Sequence, residues 1–454
     1  MMQRQRVRTT CRLVVAGVTL SLLGAVCQAQ GLTLIEAYQL ALRHDPQLQA
    51  ARCEHQAAVE ARPQARAGLL PTASFSYEYS NTTQDIVSSD NPVYASGSSS
   101  FATNYYTLSL TQPVFRYAAL VRLGQSKAEV GRADVLLDVA LQELMIRVSE
   151  KYLLALAAQD QLTFARAEQT ADERHFELAS ARLEMGLAPI TDLHDAKARL
   201  AVVQAQTIKA ENLLDDGLQA LREMTGKEVV ELSPLQQDMA LKAPEPAAIE
   251  AWVDTALQQN LLLEAQRLAT KVADREVTRQ RAGHYPTLDL VGRFNNNETG
   301  ATLFGGGSEV ETQEVTLQLN IPIYEGGVVN SRTRQAVSQS RQAAQELERD
   351  TRAVRRQARS AYLGVQSAIS RVQALEQAVA AHKLALEAKQ EGFRSGLYTG
   401  LTVLDAERDL YQAKLEYAQA RYDYLFNSLR LKLAAGTLNY QDLAQVGACF
   451  ARAE

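Results

Sequence analysis

The sequence contains a long internal duplication. The segment Arg66-Ala67-Gly68-Leu69-Leu70-Pro71-Thr72 is echoed 215 residues later as Arg281-Ala282-Gly283-His284-Tyr285-Pro286-Thr287. Further matches occur at spacings of 209 and 210 residues, so the two copies differ in length by only a few residues. A repeat of this size is a whole structural unit, because the repeats of solenoid proteins are only about 20 to 50 residues long. We therefore expect two related halves, residues 30–235 and residues 236–454.

The N-terminal residues 1–29 have the organisation of a secretory signal peptide. Four arginines without an acidic residue precede an uncharged, mainly apolar run from Leu13 to Val26, and the small residue Ala29 follows. This order is typical of an export signal that is removed from the mature protein. The apolar run is shorter than the roughly 20 residues that a membrane-spanning helix needs. The sequence therefore predicts an exported chain.

Charge and cysteine content exclude several classes of function. Loss of the four leader arginines takes the formal net charge from -5 to about -9, and no basic stretch suited to nucleic acid is present. Only Cys53 and Cys449 remain in the mature chain, and the histidines have no metal-ligand or catalytic spacing. We expect no metal, no cofactor and no enzymatic reaction. The two cysteines either pair in an oxidising compartment or are isolated packing residues, and the second interpretation is favoured.

The spacing of prolines predicts unusually long helices. No proline occurs between Pro113 and Pro189, or in the 132 residues that follow Pro322. These spans are rich in helix-favouring residues, and their apolar residues recur every three or four positions. A helix from about Ala118 to Leu187 would be roughly 100 Å long at 1.5 Å per residue. Wide, alanine-rich apolar stripes suit helices that pack on two neighbours in a bundle or helical wall.

Four segments follow an alternating pattern instead. The segments in which apolar and polar residues alternate are 73–80, 106–111, 288–294 and 315–321. A period of two predicts strands, here in two hairpins over about 72–115 and about 286–323, with polar loops at 81–102 and 295–310. Short strands with one apolar face, rich in tyrosine and in an exported chain, are typical of outer-membrane β-barrels.

Four strands are too few to close a barrel. An open sheet edge in hydrocarbon leaves unpaired backbone amides that cost several kcal/mol each. Other copies of the chain must therefore complete the barrel. Two copies would give eight strands with an interior filled by side chains, whereas three would give twelve, nearer the size that leaves an opening.

Three motifs resemble the signature segments of TolC-type outer-membrane exit ducts. The motifs are Gly186-Leu187-Ala188-Pro189-Ile190-Thr191-Asp192-Leu193, then Gly396-Leu397 followed by Val403-Leu404-Asp405-Ala406, then Ala435-Gly436-Thr437-Leu438-Asn439-Tyr440-Gln441-Asp442-Leu443. The resemblance covers essentially the whole mature chain. It implies an α+β membrane protein, a homotrimer with a 12-stranded β-barrel, four strands per chain. This barrel would continue into a long periplasmic α-helical barrel.

The resemblance also implies a cellular setting. The duct would lie in the outer-membrane lipid of a Gram-negative cell, with a periplasmic extension. Its implied partners are a periplasmic adaptor protein that docks at the helix tips and an inner-membrane transporter, of the ABC type for protein secretion. The terminal motif, residues 436–443, is more similar to ducts of type I protein secretion. A multidrug or metal efflux duct of the same family is the alternative.

Asp405 is the residue that the resemblance assigns to the narrow entrance. It matches an aspartate that forms an acidic ring where the three chains converge, and such rings attract cations and repel anions. Thr402 stands where the family has a second ring aspartate, so one acidic ring is expected. The alternative is that Asp405 only caps or solvates its helix.

Four further residues are candidates for a latch that holds the entrance closed. Thr191 and Asp192 match family residues that bond to a neighbouring tip in the closed state. Phe393 replaces the expected tyrosine and Tyr398 the expected arginine. We hypothesise a rearranged latch in which Asp192 is bonded to Arg394 or to Tyr398.

Two glycines mark the predicted tips of the helical hairpins. By resemblance, Gly186 and Gly396 make the sharp turns at which the adaptor docks. Such turns are also needed by any helical hairpin. Two other classes of protein remain open from the residues alone. One is an exported coiled-coil scaffold without a barrel, and the other is a stand-alone porin.

Overall fold

The computed structural model describes residues 31–88, 97–229, 231–236, 239–301 and 306–450. The predicted signal segment, residues 1–29, lies outside the described residues. In the first part of the chain the elements are α1 Leu34–His44, α2 Pro46–Val59, α3 Ala61–Ala67, β1 Thr72–Ile86, β2 Gly97–Arg116, α4 Tyr117–Glu184 and α5 Ile190–Thr225. The later elements are α6 Ile249–Gln259, α7 Leu261–Arg281, β3 Thr287–Thr299, β4 Ser308–Asn320, α8 Val328–Arg394, α9 Gly400–Ala435 and α10 Tyr440–Gly447.

The four strands form one antiparallel sheet in the order β1-β2-β3-β4. Its register aligns the alternating residues, because Phe75 lies opposite Leu108 and Leu108 lies opposite Phe294. Leu290 lies opposite Leu317 on the same side of the sheet. One face of the sheet is therefore apolar across all four strands, and the other face is mainly polar. The predicted hairpin strands are confirmed, and β1 and β4 are the two edges.

The predicted polar loops are shorter than expected. Residues 81–86 and 97–102 continue β1 and β2 as paired strand, and residues 295–299 and 308–310 continue β3 and β4. The loop prediction was wrong there because polar composition was taken as a sign of loop. Serine, threonine and asparagine continue the ladder, with side-chain hydrogen bonds such as that between Thr83 and Ser100 at 3.2 Å.

Two very long helices define the rest of the fold. Helix α4 has 68 residues and α8 has 67, so each is about 100 Å long. Helix α5 packs along the C-terminal part of α4, and α9 packs along the C-terminal part of α8, which gives two long helical hairpins. Helix α7 packs against both α4 and α8 nearer the sheet. The unusually long helices that the proline spacing predicts are confirmed.

The main core lies around the middle of the long helices. There α1, α4, α5, α8, α9 and α10 enclose a cluster of buried side chains. Tyr152 is fully buried in it, and its hydroxyl donates to the Leu32 carbonyl at 2.9 Å and, at 3.3 Å, to that of Ser233. Trp252, the single tryptophan of the chain, is 6% exposed at the same cluster. Its fluorescence is therefore a reporter of this core.

The two cysteines among the described residues, Cys53 and Cys449, are free thiols. Cys53 is exposed on α2, whereas Cys449 is half-buried beside the core. A disulfide between them is not formed, and the packing interpretation holds for Cys449 alone. In the described ranges, no helix is both long and apolar enough to cross a lipid bilayer.

Candidate functional site at the helix tips

The first tip is a glycine turn between α4 and α5. Gly186 has a φ of +72°, in the left-handed region that favours glycine. The amide of Leu187 donates to the Arg182 carbonyl at 2.8 Å, and the amide of Gly186 donates to the Leu183 carbonyl at 2.9 Å. These bonds satisfy the last carbonyls of α4. The structure therefore assigns Gly186 to the turn that the sequence predicts.

The second tip repeats this geometry between α8 and α9. Gly396 has a φ of +77°, and the amide of Leu397 donates to the Gly392 carbonyl at 2.7 Å. Thr399 is the N-cap of α9 and accepts from the amide of Thr402 at 3.4 Å. The two threonine hydroxyls lie 3.0 Å apart. Thr402, where the resemblance leads us to expect an aspartate, thus takes part in the helix cap.

Asp405 lies in the second turn of α9 and forms an ion pair with α5. Its carboxylate accepts from the Arg199 guanidinium at 2.6 Å, and Arg408 lies 4.0 Å away. The Asp405 side chain is 38% exposed. Because Thr399 is the N-cap, Asp405 does not cap the helix. Sequence reasoning missed Arg199, which lies on the same face of α5 as Asp192, two turns further along.

Among the described residues of one chain, no hydrogen bond or ion pair joins the predicted latch residues of the first tip to those of the second. Arg394 pairs with Glu391 at 3.1 Å, and both side chains are exposed. The ring of Tyr398 lies against Gly392. Thr191 and Asp192 are exposed in the first turn of α5, and among the described residues the Asp192 side chain makes no hydrogen bond or ion pair. The latch between tips stays a prediction about contacts between copies.

A groove of about 210 Å³ separates the two tips. It is lined by Asp192 and Arg199 from α5 and by Phe393 and Leu401 from the second tip, among others. The Arg182 guanidinium lies 5.4 Å from the centroid of the Phe393 ring, a cation–π contact that joins α4 to α8. Phe393, where the resemblance leads us to expect a tyrosine, thus links the two hairpins through a cation–π contact.

Behind the groove lies a group of charged residues that we call the tip cluster. Its members are Glu168 and Asp172 on α4, Arg199 on α5, and Asp405, Glu407 and Arg408 on α9. Burial raises the pKa of Glu168 and Asp172, whereas the charge of Arg199 lowers both. Burial also lowers the pKa of the neighbouring His175. Across the part of the chain that the structure describes, no group of three or more His, Cys, Asp and Glu residues could hold a metal ion.

A second polar link joins the hairpins further from the tips. The Tyr422 hydroxyl on α9 donates to the Asp160 carboxylate on α4 at 2.6 Å, and Tyr422 is 5% exposed. Burial raises the pKa of Asp160, and the hydrogen bond from Tyr422 and the charge of Arg421 lower it. The hydroxyl therefore stabilises the ionised carboxylate in a half-buried position.

We expect Tyr422→Phe to destabilise the protein by about 1–3 kcal/mol at neutral pH, because the carboxylate loses its hydroxyl donor. Without that donor the pKa of Asp160 rises further, so the variant takes up its proton at a higher pH than the wild type does. The loss of stability should therefore shrink as the pH falls from 8 to 5. Urea denaturation of the wild type and Tyr422→Phe, followed by Trp252 fluorescence at both pH values, measures this loss of stability.

Tyr424→Phe is the matched control for this prediction. The Tyr424 hydroxyl bonds to the backbone of Lys242, accepting at 2.8 Å and donating at 3.0 Å, so no carboxylate is involved. The loss of stability in Tyr424→Phe should not depend on pH between 8 and 5. Equal, pH-independent losses in both variants would contradict the assigned role of Asp160.

The sheet and the helical hairpins define the chain as one subunit of an outer-membrane channel. The family model described as "Outer membrane efflux protein" matches residues 37–227 and 252–437. The chain belongs to this family and is an outer-membrane efflux channel of the TolC type. This membership sets aside the exported scaffold and the stand-alone porin.

Curated relatives match along almost the full length. The outer membrane protein TolC of Vibrio cholerae is 34% identical over 91% of this chain and 93% of its own. The alkaline protease secretion protein AprF of Pseudomonas aeruginosa is 33% identical over 94% of this chain and 89% of its own. The proteases secretion protein PrtF of Dickeya chrysanthemi is also 33% identical, over 96% and 95%.

Solved structures share the fold. The CmeC outer membrane channel of Campylobacter jejuni superposes with a TM-score of 0.78 over 92% of this chain and 90% of its own, at 14% identity. At that identity the similarity concerns the fold alone. It confirms the predicted combination of a four-stranded sheet with long helical hairpins.

Proposed function

We propose that three copies of this chain form the exit duct of a type I protein secretion system. In this proposal the sheets of three chains close a 12-stranded barrel in the outer membrane. The helical hairpins extend the duct into the periplasm, toward an adaptor and an inner-membrane ABC transporter. The duct carries out no reaction of its own, and the transporter supplies the energy.

The sheet supports the oligomer. Strands β1 and β4 leave their outer edges without a partner in the single chain, which lipid does not tolerate. The aligned apolar face is also uncovered, with Phe75 66%, Leu317 63% and Leu319 60% exposed. Contact with lipid would cover this face, and edge pairing between copies would satisfy the strands.

The proposed class of cargo is supported by the similarity to AprF and PrtF. Both relatives are named for the secretion of proteases, and both match more than nine-tenths of this chain. We infer from this similarity that the cargo is a protein rather than a small drug or a metal ion. Efflux of drugs or metals is the competing outcome of the test below.

The tip residues have distinct roles in this proposal. Asp405 forms the acidic ring at the periplasmic entrance, and Thr191 and Asp192 form the latch with Arg394 or Tyr398 of a neighbouring tip. Gly186 and Gly396 shape the turns at which the adaptor docks. Leu397, 79% exposed beside Gly396, offers an apolar contact for that adaptor.

We expect the chain to restore protease secretion in a Gram-negative host that lacks its own TolC-type ducts and carries the transporter and adaptor of a protease secretion system. Protease activity in the medium is the measurement. Leu397→Asp should abolish secretion while the trimer remains in the outer membrane, because the change lies on an exposed turn.

The matched control is the substitution Leu384→Asp, on an exposed position of α8 (66%) away from the turn, which should secrete normally. The competing function is tested in the same host with a drug efflux transporter and its adaptor. Restored drug resistance without any protease secretion would reject the proposed cargo in favour of the efflux duct.

A further inference from the structure

Arg199 occupies a central position in the tip cluster. Its guanidinium contacts Asp405 at 2.6 Å across the boundary between the first and the second helical hairpin. Its side chain is only 30% exposed. Because α5 and α9 belong to different hairpins, this ion pair ties the tip of one hairpin to the tip of the other.

The surroundings of Arg199 are strongly acidic. Asp172 is 7% exposed and Glu168 is half-buried, and the positive charge of Arg199 acts on both. Glu407 accepts from Gln390 at 3.3 Å through one oxygen, while its other oxygen is buried without a hydrogen bond. The other cation of the cluster, Arg408, is closer to Asp409, at 3.2 Å, than to Asp405, at 4.0 Å. Arg199 is therefore the cation that compensates Asp405.

We propose that Arg199 is a specificity-determining residue of the entrance: it neutralises Asp405 while the two hairpins are packed together, and exposes that carboxylate when they separate. The inference rests on the proposed duct function, since it requires Asp405 to face the conducting path. In the packed state the charge of Asp405 itself is compensated by Arg199. Separation of α9 from α5 breaks the pair and leaves an acidic entrance that favours cations.

The ion pair also favours the packed state. A charge-assisted hydrogen bond between partly buried groups is stronger than a neutral one, and it exists only while α5 and α9 are adjacent. Without Arg199, the carboxylates of Asp405, Asp172 and Glu168 repel one another across the same boundary. Removal of the guanidinium should therefore both open the entrance and make it more selective for cations.

Planar-bilayer recording of the purified full chain tests the inference. Conductance and the permeability of K⁺ relative to Cl⁻ are measured for the wild type, Arg199→Gln, Arg199→Lys and Asp405→Asn. We expect Arg199→Gln to raise the conductance several-fold and to increase the preference for K⁺. Arg199→Lys keeps the charge and should remain close to the wild type. Asp405→Asn should raise the conductance but weaken the preference for K⁺.

Two further variants protect the test against a simple loss of folding. The charge reversal Arg199→Asp with Asp405→Arg restores an opposite-charge pair and should return the conductance toward the wild-type value. Arg371→Gln breaks an exposed ion pair with Asp423 at 3.5 Å, outside the tip cluster, and should change the conductance little. The charge-reversal variant changes two residues of the cluster, whereas Arg199→Gln changes one. A return of its conductance toward the wild-type value would therefore show that the effect of Arg199→Gln does not come from a loss of folding.

The inference is overturned if Arg199→Gln matches the wild type in conductance and selectivity while Asp405→Asn changes selectivity. It is also overturned if neither Arg199→Gln nor Asp405→Asn has any effect, because Asp405 would then lie away from the conducting path. Failure of protease secretion together with the expected conductance changes would reject only the proposed cargo, since the recordings contain no transporter, adaptor or cargo.

Discussion

Asp45→Ala should lower the free energy of unfolding by about 3–5 kcal/mol, because it breaks a buried ion pair and removes a helix cap at once. The Asp45 carboxylate is 3% exposed and accepts from the Arg147 guanidinium at 2.7 and 3.3 Å. The same carboxylate accepts from the amide of Leu48 at 2.9 Å and so caps α2. The substitution leaves Arg147, already with one buried nitrogen lacking a partner, without its counter-charge.

Two variants separate the ion pair from the cap in this prediction. Asn caps helices about as well as Asp, so Asp45→Asn should retain the cap and show the cost of the lost charge alone. Arg147→Met in combination with Asp45→Ala should recover part of the loss, since no unpaired guanidinium remains. Urea denaturation followed by Trp252 fluorescence measures all four proteins. A loss below about 1 kcal/mol for Asp45→Ala would contradict a stabilising role for the pair.

Much of the architecture was predictable from local sequence patterns. Proline spacing and three-to-four periodicity gave α4 to within a few residues of its ends, because long helices are determined by short-range rules. Period-two alternation located the four strands, since their register places Phe75, Leu108 and Phe294 in one row. The ends of the strands were missed because they continue past the apolar face with polar residues. Such residues have the composition of a loop.

The contacts at the candidate site were much less predictable. Arg199 and Asp405 are 206 residues apart, and their pairing depends on how two separate hairpins are aligned along their length. Neither residue belongs to a short motif that includes the other. The resemblance selected Asp405 but gave no sign of Arg199, and the latch partners of Asp192 involve contacts that one chain does not contain.

The terminal motif, residues 436–443, has a structural explanation independent of cargo. Gly436 ends α9, with the amide of Thr437 donating to the Lys432 carbonyl at 2.9 Å. Asn439 then caps α10 in a capping box with Asp442, and Lys432 lies 3.4 Å from the Asp442 carboxylate. These residues reverse the chain and return it to the core. The proposal of protein secretion therefore depends on the full-length similarity to AprF and PrtF rather than on this motif.

Gly436→Ala should destabilise the protein by about 3–5 kcal/mol, because it adds backbone strain and a steric clash at the same position. Gly436 has a φ of +75°, which disfavours any residue with a Cβ atom. An added Cβ would lie 2.5 Å from the Gln259 carbonyl carbon and 2.7 Å from the Asn260 Cα. This backbone cannot move freely, since Asn260 caps α7 and its side-chain amide donates to the Ala434 carbonyl at 3.2 Å.

Gly396→Ala provides the matched control, since it has nearly the same φ, +77°, but no atom within 4 Å of the added Cβ. It should carry only the backbone strain, about 1–2 kcal/mol, so the difference between the two variants measures the clash at the junction of α6 and α7. Trp252 reports on Gly436→Ala directly, because Lys432 near the end of α9 lies 5.9 Å from the centroid of its ring. Equal urea midpoints for the two variants would show that the junction yields to the extra methyl group, and that the end of α9 is not fixed against α7.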